Sequence, residues 1–210
     1  MIRVAIVDDH ELIRSGFARL IEREPDLALS GEASDAGDAL GLLERESCDV
    51  LILDISLPDR SGLELLKELR HRFPHLQVLV LSMHSEEEYA LRTLQAGALG
   101  YITKGNASRE LVRAIRKVAE GSRYVGERTA ERLALSLGPG GATEPHERLS
   151  DREYQILGLI GSGRSVREVA EELTLSVHTV NTYRRRILEK LGLQTTAQVV
   201  RYALENDITP

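Results

Sequence analysis

One cysteine in 210 residues, Cys48, rules out an internal disulfide and suits a reducing cytosol. It stands just before an apolar run, so packing rather than reactivity is expected of it. No apolar run reaches the roughly 18–20 residues of a membrane helix. The N-terminus lacks a charged-then-apolar pattern and enters a strand almost at once, so no secretory signal and a cytoplasmic location are expected. Six histidines are scattered without ligand spacing, which leaves no recognisable zinc site. There are no repeats. Gly138-Pro139-Gly140-Gly141 is glycine-rich, but no Gly-Lys-Ser/Thr follows, so it is a linker rather than a phosphate loop. An excess of positive charge is also missing: the net charge is −6, which argues against nonspecific coating of nucleic acid. What is present is 42% hydrophobic residues, enough for real cores in one large or two modest domains.

Polar residues close four apolar runs. Asp8 and Asp9 end Val4-Ala5-Ile6-Val7, Asp54 ends Val50-Leu51-Ile52-Leu53, and Ser82 ends Val78-Leu79-Val80-Leu81. Lys104 follows Tyr101-Ile102-Thr103. β-Branched runs separated by helical patterns read as buried parallel strands. Helices are expected at about His10–Arg23, Asp35–Glu46, Ser61–Arg72, Ser85–Ala96 and Ala107–Gly121, so strand and helix alternate five times in a doubly wound unit. Ser61 with Glu64 and Ser85 with Glu88 have capping-box spacing. The run Glu86-Glu87-Glu88 suits the first turn of a helix.

Open α/β sheets bind ligands at the carboxyl ends of their strands. Three carboxylates, a hydroxyl and an ammonium therefore converge on one crevice. Packed carboxylates need a cation, and Mg²⁺ suits oxygen donors. A carboxylate can attack phosphorus, and a lysine can clamp phosphoryl oxygens. Each Asp could instead merely cap the helix after its strand. That suffices for one Asp but not for the ordered set. His10 and His84 either border this pocket or are ordinary loop residues.

The order Asp8-Asp9, Asp54, Ser82, Lys104 resembles the receiver domain of two-component response regulators, a flavodoxin-like (βα)5 fold. That resemblance implies Asp54 as phosphoacceptor. It implies Mg²⁺ on Asp9, Asp54 and the carbonyl of Ser56, with Asp8 acting through metal-bound water. Ser82 would be the switch hydroxyl, Tyr101 the switch aromatic, and Lys104 the partner of the phosphoryl group. Leu57-Pro58-Asp59-Arg60-Ser61-Gly62 resembles the family's Met-Pro-x-x-x-Gly turn, with Leu57 replacing Met. Met83 stands where Ala is common.

Three regions are expected: a receiver domain at 1–121, a short helix (Arg128–Leu137) and linker within 122–148, and a helical domain at 149–210. In the last, Ser150/Glu153 and Ser165/Glu168 are capping boxes, placing helices at about Asp151–Ser162 and Val166–Leu173. Ser176 can cap a third helix to about Leu191, stopped by Gly192, and a fourth covers about Thr196–Glu205. Short helices before a longer basic one suggest helix-turn-helix.

On the third helix Val180, Ile187 and Leu191 share one face, flanked by Arg184 and Leu188. His178, Thr182, Arg185, Arg186 and Glu189 lie opposite, with Asn181 at the edge. Simple amphipathicity covers that pattern but not Arg184-Arg185-Arg186. From Ser176 to Leu191 four basic residues meet one acidic, whereas Leu149–Pro210 carries eight of each. The basic charge is thus focused on one helix.

Leu149-Ser150-Asp151-Arg152-Glu153, Val169-Ala170-Glu171-Glu172-Leu173, Leu175-Ser176-Val177-His178-Thr179-Val180 and Lys190-Leu191-Gly192-Leu193 resemble the LuxR-type helix-turn-helix. Joined to a receiver, this resembles the NarL/FixJ family of response regulators. The resemblance implies a sensor histidine kinase, double-stranded promoter DNA and a second copy of the chain as partners, with RNA polymerase a further candidate. Thr182, Arg185 and Asn181 are expected to face bases, and Thr179, Tyr183 and Arg186 phosphates. Asn181 stands where Lys is common and Tyr183 where His is, which bears on the DNA sequence read. Two other classes share part of this pattern. An Asp-nucleophile phosphatase would need Asp-x-Asp, and Asp54-Ile55-Ser56 lacks the second Asp. A ligand-sensing LuxR-type activator would need a different N-terminal fold.

Overall fold

The computed structural model describes residues 1–82, 86–126, 145–206 and 208, with only the backbone of 86–89, 147 and 151. The expected helix Arg128–Leu137, linker residues 138–144, Met83, His84, Ser85 and the Glu88 side chain lie outside the described residues. The chain divides into two compact units between Leu133 and Ala134.

The first unit alternates β1 (Ile2–Val7), α1 (Glu11–Glu22), β2 (Leu27–Ala33), α2 (Ala36–Arg45), β3 (Val50–Asp54), α3 (Gly62–Arg72), β4 (Gln77–Ser82), α4 (Glu86–Gln95), β5 (Gly100–Thr103) and α5 (Lys104–Ala119). All five strands are parallel, in the order β2-β1-β3-β4-β5. This is the flavodoxin-like order, with its reversal point between β1 and β3. Strand side chains alternate between faces. Val4, Ile6, Val50, Ile52, Leu79 and Leu81 pack under Phe17 and Ile21 of α1 and Leu111, Ile115 and Val118 of α5. The intervening Ala5, Val7, Leu51, Leu53, Val78 and Val80 are equally buried. Both faces are covered, which is why β1, β3 and β4 read as continuous apolar runs.

Two expectations shift. The fifth helix begins at Lys104, not Ala107, because extended Thr103 serves as N-cap and the chain turns helical at once despite Gly105 and Asn106. Ser61 makes no cap hydrogen bond, so the Ser61/Glu64 box does not form. The loop instead folds back on the strand end, and Gly62 N–H donates to Ile55 O at 3.0 Å. A Cβ on Gly62 would lie 2.5 Å from Ile55 Cα and 2.6 Å from Asp54 O, so the return requires glycine. Asp59 of the same loop accepts from Ala36 N–H at 3.1 Å and caps α2 alongside Asp35. Cys48 packs as expected, with burial pushing its thiol up to about 11.

The second unit opens with a 3-10 turn (Pro145–Arg148), followed by α6 (Asp151–Gly161), α7 (Val166–Glu172), α8 (Val177–Leu191) and α9 (Thr196–Glu205). Both expected capping boxes form, as does a third, Thr195/Gln198. Gly192 ends α8 at φ +67°, the left-handed conformation that favours glycine. The core joins Tyr154, Ile156 and Ile160 of α6 with Val169, Val180, Ile187, Val199 and Ala203. Thr174 turns the chain from α7 into α8 at φ +51°. His146 Nδ1 lies 2.9 Å from Tyr202 Oη, tying the 3-10 turn to α9. Among the described residues, no helix is long and apolar enough to cross a membrane.

Candidate functional site

Parallel register brings the strand ends level. Val7 pairs with Leu53, Asp54 with Leu81, and Ser82 with Thr103. The residues that end these strands therefore gather at one edge. Lys104 Nζ lies 2.7 Å from Asp54 Oδ2, to which it donates, and 2.7 Å from Asp8 Oδ2 in an ionic contact. The Lys104 side chain is 5% exposed and the two carboxylates 1% each, so water screens this triad little. Asp54 Oδ1 accepts from Ser56 N–H at 3.0 Å.

Burial pushes the Asp54 carboxyl above the usual carboxylate range; Lys104 opposes the shift and Asp8 adds to it. For Lys104, burial acts downward, but the two carboxylates outweigh it and hold the ammonium above its ordinary value. One ammonium thus serves two buried carboxylates, with Asp9 as a third at the mouth. A dication is the natural remedy. One ligand atom each from Asp8, Asp9, His10 and Asp54 lies within 4.8 Å of the others, so these residues could hold a metal ion. The all-oxygen part of that set fits Mg²⁺.

Ser82 is fully buried at the end of β4, and Tyr101 is 3% exposed in β5. Ser56 is half-buried beside Asp54. Of the two histidines at the border, His10 does reach the pocket, with Nδ1 2.6 Å from Asp9 Oδ1. Arg14 went unrecognised in the sequence; its Nη1 donates to the Asp8 carbonyl at 2.6 Å. Only its place in the first turns of α1 hints at that contact. Asp59 belongs to the turn after β3, and nothing in the sequence signals its cap on α2.

In the second unit, α8 carries the expected basic face. Arg185 and Arg186 are exposed; Arg185 Nε is 3.8 Å from Glu189 Oε1, and the Arg186 guanidinium stands 5.9 Å from the Tyr183 ring centre. Thr182 Oγ1 and Asn181 Nδ2 donate to the carbonyls four residues back, at 3.0 Å each, which pins both side chains along the helix. Thr179 binds Ser176 through its N–H (3.0 Å) and its hydroxyl (2.7 Å). Arg184 packs inward, and its Nη1 donates to Thr196 Oγ1 at 3.3 Å. Beneath the helix, Lys190 Nζ binds the buried Glu153 carboxylate at 2.6 Å, fixing α8 against α6.

Two family models match the chain. Residues 4–116 match the response regulator receiver domain, and residues 147–203 match the bacterial regulatory proteins of the luxR family. The chain is 37% identical to the response regulator UvrY of Escherichia coli (strain K12) over 209 residues, covering 99% of this chain and 96% of that one. It is 38% identical to the response regulator GacA of Pseudomonas aeruginosa over 207 residues, covering 98% and 97%. It is also similar to a solved structure of RcsB from Salmonella enterica serovar Typhimurium, bound to promoter rprA in the presence of the phosphomimetic BeF3⁻. That likeness has TM-score 0.66 and 27% identity, over 96% of this chain and 98% of that chain.

Proposed function

The chain belongs to the NarL/FixJ family of response regulators, a receiver joined to a LuxR-type DNA-binding domain, and from this premise we propose a phosphorylation-controlled switch on promoter DNA. The observation that carries the proposal is the buried Asp8–Lys104–Asp54 triad at the sheet's carboxyl edge. Residues 1–121 are the phosphoacceptor module and 149–210 the DNA-binding module of a cytoplasmic regulator.

Asp54 is the nucleophile. Its carboxylate oxygen forms a bond to phosphorus as the P–N bond to a sensor kinase's phosphohistidine breaks, and the leaving imidazole keeps the electron pair and takes up a proton. Asp9, Asp54 and the Ser56 carbonyl would hold Mg²⁺, and Asp8 would act on it through water. When bound, that ion offsets the charge of the transferring group. Ser56 N–H, already on Asp54 Oδ1, orients the carboxylate. Lys104, kept charged by its partners, stays to pair with the new phosphoryl oxygens.

The buried Ser82 hydroxyl donates to the phosphoryl group. Tyr101, buried in β5, repacks with it, and the α4–β5 surface shifts. The shifted state favours dimers and frees α8 for the major groove. There Thr182, Arg185 and Asn181 face bases, and Thr179, Tyr183 and Arg186 face phosphates. RNA polymerase is a further candidate partner. The test of the acceptor is Asp54→Asn, which keeps size but removes the nucleophile. Mass spectrometry should find no phosphoryl incorporation from acetyl phosphate with Mg²⁺. Full incorporation in that variant refutes the assignment.

A further inference from the structure

The exposed rim of the acidic site carries a donor that an oxygen-only set does not explain. His10 is the N-cap residue of α1, where a Ser, Thr, Asp or Asn side chain normally accepts a helix N–H. His10 makes no such cap. Its ring is turned the other way, with Nδ1 2.6 Å from Asp9 Oδ1 and 3.3 Å from Asp8 Oδ1. Its backbone N–H donates to Asp8 Oδ1 at 2.9 Å, which fixes the residue above the carboxylates. The ring is 60% exposed, against 1% for Asp8, so it stands at the mouth of the site rather than in its floor.

Imidazole suits zinc, iron and nickel, whereas Mg²⁺ takes oxygen. We propose that His10 is a fourth protein donor to the dication of this site, so that the site accepts first-row transition dications more strongly than its carboxylates alone would. The inference rests on the reading that Asp9 and Asp54 hold a dication. Two donors on one octahedral ion with bonds of about 2.1 Å lie roughly 3 Å apart. Nδ1 and Asp9 Oδ1 are already 2.6 Å apart, and the four residues' ligand atoms lie within 4.8 Å of one another. Taking an ion between them asks for a small adjustment rather than a rearrangement.

The test uses the full chain and Mn²⁺ as probe. Pulsed electron paramagnetic resonance of the bound ion should show modulation from one directly bound imidazole nitrogen, absent in His10→Ala. In parallel, calorimetry should find the Co²⁺-to-Mg²⁺ affinity ratio at least about tenfold lower in His10→Ala, since even losing a group that only orients a ligand typically costs 10–100-fold. His10 is exposed and bonds no helix N–H through its ring, so the variant should fold. Bound Mn²⁺ without nitrogen modulation, or an unchanged ratio, overturns the assignment of His10. Asp9→Ala separates the premise: if that variant binds Mn²⁺ as tightly as the parent, the dication reading falls. If it loses Mn²⁺ while His10→Ala keeps the nitrogen signal and the ratio, only the His10 assignment falls.

Discussion

Replacing Lys104 by methionine removes the cation that contacts both Asp8 and Asp54, at 2.7 Å each. Removing one partner of a buried ion pair typically costs about 3–5 kcal/mol, because the remaining charge is left buried and uncompensated. Here two carboxylates, each 1% exposed, are left, and methionine fills the volume without the charge. One relief exists: Asp54 already titrates above its ordinary range, and without Lys104 it binds a proton more readily still. The expected loss is therefore about 3 kcal/mol at neutral pH without metal, the lower end of that range. Its pH dependence has a definite sign. A carboxyl with a raised folded pKa costs stability above that pKa, and the cost fades as pH falls through it. Lys104 in the parent stays charged throughout, since its own pKa is raised. The variant's deficit should therefore shrink in mild acid. Adding Mg²⁺ should recover part of it, and Lys104→Met with Asp54→Asn should recover most of it. Urea unfolding of the full chain, followed by circular dichroism, measures all of this. A deficit below about 1 kcal/mol, comparable to an exposed ion pair, or one that ignores pH, would refute the electrostatic account of the triad.

Further outcomes follow from other contacts. Arg185→Ala should cost about 1–3 kcal/mol at the cognate site and relax preference at one base pair, whereas Arg186→Ala should weaken all sequences alike and lower the salt slope by about one; equilibrium binding to cognate and scrambled DNA across a salt series reads both. Arg116 clasps Asp26 through Nε at 2.8 Å and Nη2 at 2.7 Å, and this bond holds the carboxyl down to about 2. Its contribution to stability is present above the ordinary value of 3.8 and is lost as pH falls towards about 2; carboxyl NMR titration should show the low value in the parent and a near-ordinary one in Arg116→Ala.

Much of the receiver was legible because burial on both faces leaves β1, β3 and β4 as unbroken apolar runs, each stopped by a polar residue of the candidate site. β2 was not, since an edge strand containing Ser30, Gly31 and Glu32 is only partly buried and shows no clean run. Capping boxes were readable where the chain leading into the helix is local, as at Ser150 and Ser165. At Ser61 the same spacing failed, because the loop is drawn back onto Ile55 by a close approach that depends on Gly62. The start of α5 was misplaced because Gly105 and Asn106 are poor helix formers, yet Thr103 already stands as the N-cap. The Arg14 contact to the Asp8 carbonyl and the Asp59 cap on α2 depend on how the loops fold, and the sequence carries little or no signal for either. On α8 the apolar stripe predicted the buried face at Val180 and Ile187 and the inward turn of Arg184, because helical geometry alone decides both.

On the proposed function, phosphorylation at Asp54 controls the DNA-binding unit. The most direct measurement is the affinity of the full chain for its promoter site with and without acetyl phosphate and Mg²⁺, in the parent and in Asp54→Asn. Tighter binding, together with dimer formation, is expected for the phosphorylated parent and no response for the variant. Equal affinities in the parent with and without the phosphodonor, despite confirmed incorporation, would contradict it.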